Sequence, residues 1–483
     1  MSKIKLTGEN SGYVELSAGQ NAGNNTLELP TSGTKVVASD DSGNVNNLGI
    51  VTATTFSGNV TGDVTGNLTG NVTGNLTGNV TGDVTSSGTS TFDVISGVST
   101  IGVTTVHLTG INNLSYPTAG PLSNRNLVQN GAMTVNQRST SESSLTSGNN
   151  YILDRWRTYI QDIGTYTISQ DSDAPAGFKY SYKIQCTTAD ASPAAADDMS
   201  FYCPYEGQDL QQLKKGTSSA QSVTLSFWVK SNKTSTGQVN FRDQDNNRMI
   251  SGTYTINSAG TWEYKTITFP GDTSGALDND NAASISLQWY LDSGSNFSSG
   301  SMNSTWGTDS IDKRNVNNFG LASSTSNYWQ ITGIQLETGS VATPFEHRSY
   351  GDELARCQRY FQGWNATSST ERAKTGIFVY DDEGNSSANQ STILGTGSVT
   401  DADDARIEFS FPVSMRAKPT TDVADLRLIT GSTLHNSSTT VQYNNSTTHN
   451  FSALVDNGGG MTTGQCVHLI IKGNGYFYLN AEL

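Results

Sequence analysis

The most regular hydrophobic pattern in the chain is a four-residue repeat, which reads NVTG DVTG NLTG NVTG NLTG NVTG DVT from Asn59 to Thr85. In an extended chain, side chains alternate between two faces, so the aliphatic residues share one face with the glycines. A helix fits poorly, because four residues advance about 400° and each glycine costs roughly 1 kcal/mol relative to alanine. The repeat therefore predicts an extended segment with one apolar stripe, formed by Val60, Val64, Leu68, Val72, Leu76, Val80 and Val84.

A single strand cannot bury this stripe alone, because isolated strands and hairpins are marginal in water. Identical chains wound in register would place each ring of Val or Leu side chains on a common axis, where the glycines allow close backbone approach. The repeat therefore predicts the core of a self-associating fibre shaft. A flexible Gly/Thr linker is the alternative, although linkers rarely keep an aliphatic residue in strict register.

Shorter hydrophobic patterns organise the rest of the chain. Residues 1–58 hold short alternating runs broken by polar clusters, which predict a small N-terminal β module. From residue 124, alternating runs at regular spacing predict a β-sandwich with strands at 151–160, 166–169, 180–186, 221–231, 261–269, 283–291 and 328–337. Further runs predict a second sandwich with strands at 376–380, 406–412, 424–429, 440–443, 467–472 and 476–483.

One helix is predicted between the two sandwiches. Asp352 is its predicted N-cap and Gly363 its predicted stop. Its apolar residues recur at helical spacing: Leu354, Cys357, Phe361 and Trp364. The chain is thus predicted to be all-β, with an N-terminal module at 1–58, a shaft at 59–123, a first sandwich at 124–348, a connector helix at 349–364 and a C-terminal sandwich at 365–483.

Composition and charge exclude several classes of function. Charged residues make up 15% of the chain, against about 25% in an average soluble domain. With 28 Lys and Arg against 43 Asp and Glu, the net charge is -15, and no basic run could neutralise a phosphate backbone. The sequence contains no run of 18 apolar residues, so membrane insertion is not predicted, and no export signal is expected at the start. Nucleic acid and membrane are therefore not expected partners, and the four cysteines are expected to be reduced and mostly buried thiols.

Several stretches of the sequence carry a family resemblance. NLVQNGAMTVNQR at 126–138, LDRW at 153–156, TLSFWVK at 224–230 and TWEYK at 261–265 are similar to jelly-roll domains that phage fibres share with carbohydrate-binding modules. IQLETGSVATPFE at 334–346, leading into ELARCQRYF at 353–361, resembles the seam between two fibre domains. FPVSMRAKP at 411–419 and NAEL at 480–483 resemble the fibre tip domain, and the repeat resembles fibre shafts. The chain is thus similar to tail fibre and related virion fibre proteins of phages, especially phages that infect marine cyanobacteria.

The resemblance implies a homotrimer on the exterior of a virion, made in the host cytoplasm and attached to other tail or neck proteins through the N-terminal module. It also implies a jelly roll and a tip domain that bind a host surface glycan, either lipopolysaccharide or capsule. The expected function is therefore host recognition and attachment. A neck, collar or head fibre with a purely structural role is the alternative.

Motifs for catalysis are missing from the sequence. It contains no GxGxxG, GxxxxGK[ST], HExxH or GxSxG, so no enzymatic activity and no cofactor are expected. A glycan depolymerase is an alternative, because it needs only two suitably spaced carboxylates and the chain has 43 acidic residues. One observation weakens this alternative. The long rung repeat of a parallel β-helix, which phage depolymerases usually resemble, is not found.

A sugar site needs an aromatic ring beside hydrogen-bonding groups, because a pyranose stacks its apolar face on a ring. Trp306 lies in a long polar stretch near Asn303 and Asp309, which makes these three residues the predicted ligand site. Weaker candidates are Tyr205 with Gln208 and Trp364 with Asn365. The tryptophans within strand patterns are predicted to be core residues: Trp228, Trp262, Trp289 and Trp329.

Metal sites are only weakly indicated. Trimeric fibres sometimes bind an axial metal through one histidine per chain, and His107 is the candidate. The acidic stretches 243–247 and 278–280 resemble calcium loops, but polar turns explain them equally well.

Overall fold

The computed structural model describes residues 3–7, 13–17, 110–111, 114–115, 123–365, 379–381, 390–431, 433–436, 441–442, 446–456 and 459–483. The chain divides into two compact units, 1–99 and 100–483. In the first unit, β1 (Lys3–Thr7) and β2 (Tyr13–Ser17) pair as an antiparallel hairpin. The predicted shaft core, from Val60 to Val84, and His107 lie outside the described residues, so the trimeric shaft stays a prediction.

The first described elements of the second unit are a short antiparallel pair, β3 (Gly110–Ile111) and β4 (Leu114–Ser115). A large antiparallel sheet follows. Its strands are β5 (Ser141–Asn150), β6 (Arg157–Asp171), β7 (Ser181–Thr188), β8 (Asp198–Glu206), β9 (Val223–Ser231), β10 (Thr236–Asp243), β11 (Arg248–Thr255), β12 (Glu263–Phe269), β13 (Ala283–Ser293), β14 (Gly307–Thr308) and β15 (Tyr328–Thr338).

This sheet is curled so that its two ends approach each other. The strand order is β12-β9-β15-β7-β6-β8-β13-β10-β11-β14, and β5 pairs with β6. A Cβ atom placed on Gly252 of β11 would lie 2.5 Å from Ile267 Cγ2 of β12, which shows how closely strands from opposite ends pack. The prediction of an all-β chain is confirmed, and the curled antiparallel sheets are consistent with a β-sandwich or jelly roll.

The core of this domain forms because alternate residues of each strand are apolar. In β9, Leu225, Phe227 and Val229 are buried on one face, while Ser226 and Trp228 lie on the opposite face of the sheet. The predicted strands at 180–186, 221–231, 261–269, 283–291 and 328–337 are confirmed within three residues. The prediction at 151–160 is wrong in its start, because residues 151–156 form a turn that buries Trp156 before β6 begins. The pattern does not predict strands β5, β8, β10, β11 and β14.

Short helical segments connect the strands. They are α1 (Ser295–Ser298), α2 (Tyr350–Gln358) and the 3-10 turns Gly207–Asp209, Gln211–Leu213, Ile311–Lys313 and Leu321–Ser323. Within the described residues, no helix is long and apolar enough to span a membrane.

The connector helix α2 is shorter than predicted. Its N-cap is Ser349, whose hydroxyl accepts a hydrogen bond from Asp352 N, so the prediction of Asp352 as the cap is wrong. The helix ends at Gln358, and Gly363 lies in the strand that follows rather than at a helix stop. The early end has a physical reason, because Phe361 pairs with Asn480 in the next sheet.

A second antiparallel sheet forms the C-terminal domain. Its order is β21-β20-β24-β18-β19-β23-β22, with β16 on β24 and β17 on β18. Its core includes Trp364, Phe451 and Phe477. The strands are β16 (Phe361–Asn365), β17 (Val379–Asp381), β18 (Gln390–Val399), β19 (Asp404–Ser410), β20 (Thr420–Thr430), β21 (Thr433–Asn436), β22 (Val441–Gln442), β23 (Asn450–Asp456) and β24 (Cys466–Asn480).

The expectation of free and mostly buried cysteines is confirmed. Cys186, Cys203 and Cys357 are buried free thiols, and Cys466 is an exposed free thiol.

Candidate functional site

An aromatic groove lies on the outer face of β12, β9 and β15. Trp228 of β9 is opposite Tyr264 of β12 in the strand register, and their ring centroids are 5.3 Å apart. Alternation explains their outward position, because Trp228 falls between the core residues Phe227 and Val229. Tyr264 is 44% exposed and Trp228 is partly exposed, so both rings are accessible to a ligand.

Three aromatic rings from two loops form the other wall of the groove. Phe178 lies 5.0 Å from Phe345 and 5.3 Å from His347, measured between ring centroids. Phe345 and His347 are 4.8 Å apart. Because each ring packs against the other two, this wall is held in place without help from a ligand.

Gly333 of β15 is the point at which the two walls meet. It has a φ of +62° and lies within the interrupted register between Thr332 and Gln335. A Cβ atom at this position would lie 2.7 Å from Phe178 Cζ and 3.1 Å from Trp228 Cδ1. A glycine is therefore required both by the backbone conformation and by the close approach of the rings. The resulting cavity has a volume of about 550 Å³ and is also lined by Ser226 and Thr343.

Polar groups lie at the rim of the groove. Lys230 lies two residues from Trp228 on the same face of β9, and Trp262 lies just before β12, two residues from Tyr264. Lys230 Nζ lies 2.6 Å from Asp173 Oδ2, and Trp262 Nε1 donates to Asp173 Oδ1 at 3.1 Å. Burial opposes ionisation of Asp173, but the hydrogen bonds from Lys230 and Trp262 hold its pKa below the usual value. The rim therefore carries a fixed carboxylate whose side chain is still 45% exposed.

The groove has the chemistry of a sugar site. A pyranose could stack its apolar face on Trp228 and Tyr264, while its hydroxyls could bond the Asp173 carboxylate at the rim. Among the described residues, no group of three or more His, Cys, Asp or Glu side chains is placed to hold a metal ion.

The three residues predicted as the ligand site lie away from this groove. Trp306 is partly buried, donates from Nε1 to Pro270 O at 2.7 Å and lies edge-on to Phe241 at 5.6 Å. Asn303 donates from Nδ2 to Thr308 O at 2.9 Å. The prediction that these residues bind a sugar is untested and stays a prediction.

Asp309 is already paired within the protein. Its oxygens accept hydrogen bonds from Arg242 Nε at 2.8 Å and from Arg314 Nε at 2.9 Å. Burial opposes ionisation of Asp309, but both guanidinium groups hold its pKa below the usual value. Because its side chain is 4% exposed, a sugar could reach this carboxylate only by displacing an arginine.

Burial corrects several assignments of aromatic residues. Trp289 and Trp329 are fully buried, as predicted, but Trp228 and Trp262 are partly exposed, so the core prediction is wrong for them. The pattern TLSFWVK already held the signal, since Trp228 shares its face with Thr224, Ser226 and Lys230. The weaker sugar candidates Tyr205 and Trp364 are core residues, exposed by 1% and 8%.

The acidic stretches that resemble calcium loops form polar turns. Asp245 Oδ2 accepts from Asp278 N at 3.0 Å, and Asp280 Oδ1 accepts from Ala282 N at 2.9 Å. Asp243 is buried and lies 2.5 Å from the ammonium nitrogen of Lys215. The Lys215 ammonium group therefore already pairs with a carboxylate that a calcium ion would need as a ligand.

Comparisons with known proteins give only distant structural likenesses. No protein-family model matches the chain, and no curated protein matches it. The enzymatically active domain of tailspike protein 4 from bacteriophage CBA120 is 14% identical, with a TM-score of 0.24, and the match covers 44% of this chain and 21% of that one.

Two carbohydrate-binding structures are matched over nearly their whole length. A family 11 carbohydrate-binding module from Clostridium thermocellum, solved with a mixed-linked tetrasaccharide, is 12% identical with a TM-score of 0.23, covering 43% of this chain and 99% of that one. The tandem family 22 modules of Paenibacillus barcinonensis Xyn10C are 11% identical with a TM-score of 0.19, covering 71% of this chain and 97% of that one. TM-scores and identities this low assign neither a family nor a ligand to the chain.

Proposed function

We propose that this chain is a non-enzymatic virion fibre protein of a phage that binds a host surface glycan through its aromatic groove. The observation that carries the proposal is the pair Trp228 and Tyr264, whose rings lie side by side at the surface of a sheet. Contact of aromatic rings with water is unfavourable, and a sugar with an apolar face could cover these rings and so gain free energy of binding.

The fibre part of the proposal rests on the sequence. The repeat from Asn59 to Thr85 has an apolar stripe that one strand cannot bury, and the resemblance to phage fibres supplies the trimer and the place on the virion. Three grooves on one fibre would act together. Multivalent binding would then compensate for the weak affinity of a single sugar site.

Binding rather than hydrolysis is supported by the groove lining. Glycoside hydrolysis requires two carboxyl groups about 5–10 Å apart on either side of the scissile bond. The residues that line the groove include no Asp or Glu. Asp173 lies at the rim and is engaged by Lys230 and Trp262.

A glycan array tests the proposed binding. The purified full chain should bind a defined subset of host-surface oligosaccharides, and Tyr264→Ala should weaken that binding about tenfold, because a stacked aromatic contact contributes about 0.5–1.5 kcal/mol beyond its buried area. Tyr350→Ala is the matched control, since Tyr350 is 46% exposed and lies outside the groove lining. Equal binding by all three proteins, or no binding by any, would reject the groove as a sugar site.

The position on the particle needs a separate measurement. Antibodies against residues 123–365, viewed on virions by electron microscopy, should label the tail fibres. Labelling confined to the neck or head, together with antibodies that fail to block adsorption, would favour the structural fibre instead.

A further inference from the structure

A second cavity adjoins the aromatic groove. It has a volume of about 860 Å³ and lies between helix α2, the segment 346–349 and residues 413–414. His347 lines both this cavity and the groove. We call it the polar cleft, and its shared wall means that a ligand longer than one sugar could occupy both sites.

One face of helix α2 forms a wall of the polar cleft. Asp352, Ala355, Arg356 and Arg359 lie at i, i+3, i+4 and i+7, so their side chains are neighbours on the helix surface. The small side chain of Ala355 leaves space between the charged ones. The wall therefore presents two guanidinium groups and one carboxylate.

Most charges in the polar cleft are already neutralised. Arg359 makes a two-pronged contact with Glu206, with Nε and Nη2 at 2.7 and 2.6 Å from its oxygens. Arg348 pairs with Glu353 at 3.4 Å and Glu346 at 3.6 Å. The charges of these two arginines are already balanced by carboxylates of the protein.

Arg356 differs from its neighbours. Its Nη2 donates to the Asn124 side-chain oxygen at 3.1 Å, and within the described ranges no carboxylate lies within 4 Å of its guanidinium. The nearby Asp352 carboxylate instead accepts a hydrogen bond from the Ser349 hydroxyl at 2.6 Å. A guanidinium has five N–H donors, so Arg356 can still bind an anion with two parallel hydrogen bonds.

We infer that the ligand is an acidic glycan, with a sugar ring on Trp228 and Tyr264 and an anionic group on Arg356. This inference rests on the proposed function of the groove. The route between the two sites is continuous, because Gly333 joins Trp228 to Phe178, Phe178 packs on His347, and His347 borders the polar cleft. A uronate carboxylate and a sulfate ester present the same chemistry to an arginine, since each offers two oxygens in a fork.

An acidic ligand has a further consequence for a chain with a net charge of -15. Long-range repulsion opposes the approach of the glycan, and the local charge of Arg356 must overcome it. Salt screens both the long-range repulsion and the attraction to Arg356, but the direct contact at Arg356 is screened less than the distant charges. The affinity for a neutral glycan would not depend on the charge of Arg356.

The test compares each anionic oligosaccharide with a neutral derivative of the same backbone. Oligogalacturonate supplies carboxylates and its methyl ester is the neutral match, while carrageenan oligosaccharide supplies sulfate esters and its desulfated form is the neutral match. Host lipopolysaccharide is added as a fifth probe. The wild-type full chain should prefer the anionic probes, and Arg356→Gln should weaken their binding about tenfold or more, as expected for a hydrogen bond to a charged group. Binding to only one anionic probe identifies its group as the ligand feature.

The controls separate the two proposals. Arg427→Gln removes a partly exposed arginine from the other domain and should leave binding unchanged. If Tyr264→Ala weakens binding to the neutral and anionic probes alike, while Arg356→Gln has no effect, the groove binds sugar but the acidic-glycan inference is wrong. If wild type binds none of the five probes, the acidic-glycan inference is wrong, and the glycan array alone decides whether the groove binds sugar. A melting temperature within about a degree of wild type confirms that Arg356→Gln is folded.

Discussion

Arg155 Nη1 lies 2.6 Å from Glu482 Oε2, although 327 residues separate them along the chain. Arg155 lies in the turn before β6, and Glu482 follows β24, so the ion pair joins the jelly-roll-like domain to the C-terminal sheet. The side chains are 0% and 5% exposed. Arg155 also stacks over Tyr360 at 3.5 Å, and Arg138 Nη2 contacts the other oxygen of Glu482 at 3.2 Å. The contact between these two domains therefore depends on a buried charge cluster.

Glu482→Gln should destabilise the protein strongly. The substitution leaves Arg155 and Arg138 as buried cations with no carboxylate at Glu482, and breaking a buried pair typically costs about 3–5 kcal/mol. Urea unfolding of the full chain measures the loss. Asp171→Asn is the control, because the Lys183–Asp171 pair is partly exposed, with a distance of 3.0 Å, and should contribute about 1 kcal/mol or less. Equal losses for the two variants would contradict the buried cluster.

The stabilisation by Glu482 should depend on pH. Burial alone would raise the pKa of Glu482, but Arg155 and Arg138 hold it below the usual value. A group whose pKa is lowered on folding stabilises the folded state above its unfolded pKa, about 4.3 for Glu, and loses that contribution as the pH falls through the folded value. The difference in unfolding free energy between wild type and Glu482→Gln should therefore be constant from about pH 5 to 7 and shrink below about pH 4. A difference that grows on acidification would contradict this assignment.

Lys215 provides a second prediction about buried charge. Its Nζ lies 2.5 Å from Asp243 Oδ2 and 3.1 Å from Asp272 Oδ2, and it donates to the carbonyls of Ser274 and Gly275 at 2.9 and 2.8 Å. Lys215→Ala should cost about 3 kcal/mol, because it leaves the buried Asp243 carboxylate without its cation, while Asp272 keeps its ion pair with Arg248 at 2.7 Å. The vacated cage has four oxygens of the kind that Ca²⁺ prefers.

Millimolar Ca²⁺ should therefore raise the melting temperature of Lys215→Ala and leave wild type unchanged. A chelator should reverse the effect. Calorimetry of both proteins with and without Ca²⁺ is the measurement. A rise of equal size in both would indicate a calcium site elsewhere in the chain.

Trp306→Ala distinguishes a packing role from the predicted sugar contact. The indole fills space beside Phe241 and donates to Pro270 O at 2.7 Å, so its loss should lower the melting temperature by several degrees, as expected for about 2 kcal/mol. Binding of glycan by the folded variant should stay near wild type, because Trp306 does not line the groove. The opposite result, unchanged stability with lost binding, would support the prediction made from the sequence.

The sequence predicts the strands better than it predicts which aromatic residues they expose. Leu225, Phe227 and Val229 alternate in β9, and the core follows directly from that period. Placing every tryptophan of a strand pattern in the core puts Trp228 there, although Thr224, Ser226 and Lys230, which share its face, are polar. Strand period and residue type gave opposite answers here, and the period was correct.

The groove and the domain contact could not be derived from the sequence. Phe178 meets Phe345 and His347 only because β15 lies between β9 and β7 in the sheet, an order that no local pattern encodes. The pairing of Arg155 with Glu482 is likewise encoded by no local pattern. The end of helix α2 was also missed, since the pairing of Phe361 with Asn480 outweighs the helical spacing of the apolar residues.

Gly333→Ala should close the aromatic groove. The new methyl group would lie 2.7 Å from Phe178 Cζ and 3.1 Å from Trp228 Cδ1, so one of the two rings must move. The φ of +62° adds strain of about 1–2 kcal/mol for any residue with a Cβ atom. We therefore expect lower stability and at least a tenfold loss of glycan binding.

Gly431→Ala is the matched control for the strain. Gly431 has a φ of +58°, and nothing lies within 4 Å of a Cβ atom placed there, so this substitution adds the same backbone strain without filling a site. It should lose about 1–2 kcal/mol of stability and keep full binding. Binding to the oligosaccharides that wild type selects on the array is compared at a temperature where both variants are folded. Because the two glycines share a backbone conformation, a binding loss seen only for Gly333→Ala must come from the rings that the methyl group displaces. Full binding by Gly333→Ala would mean that the ligand does not enter between Trp228 and Phe178.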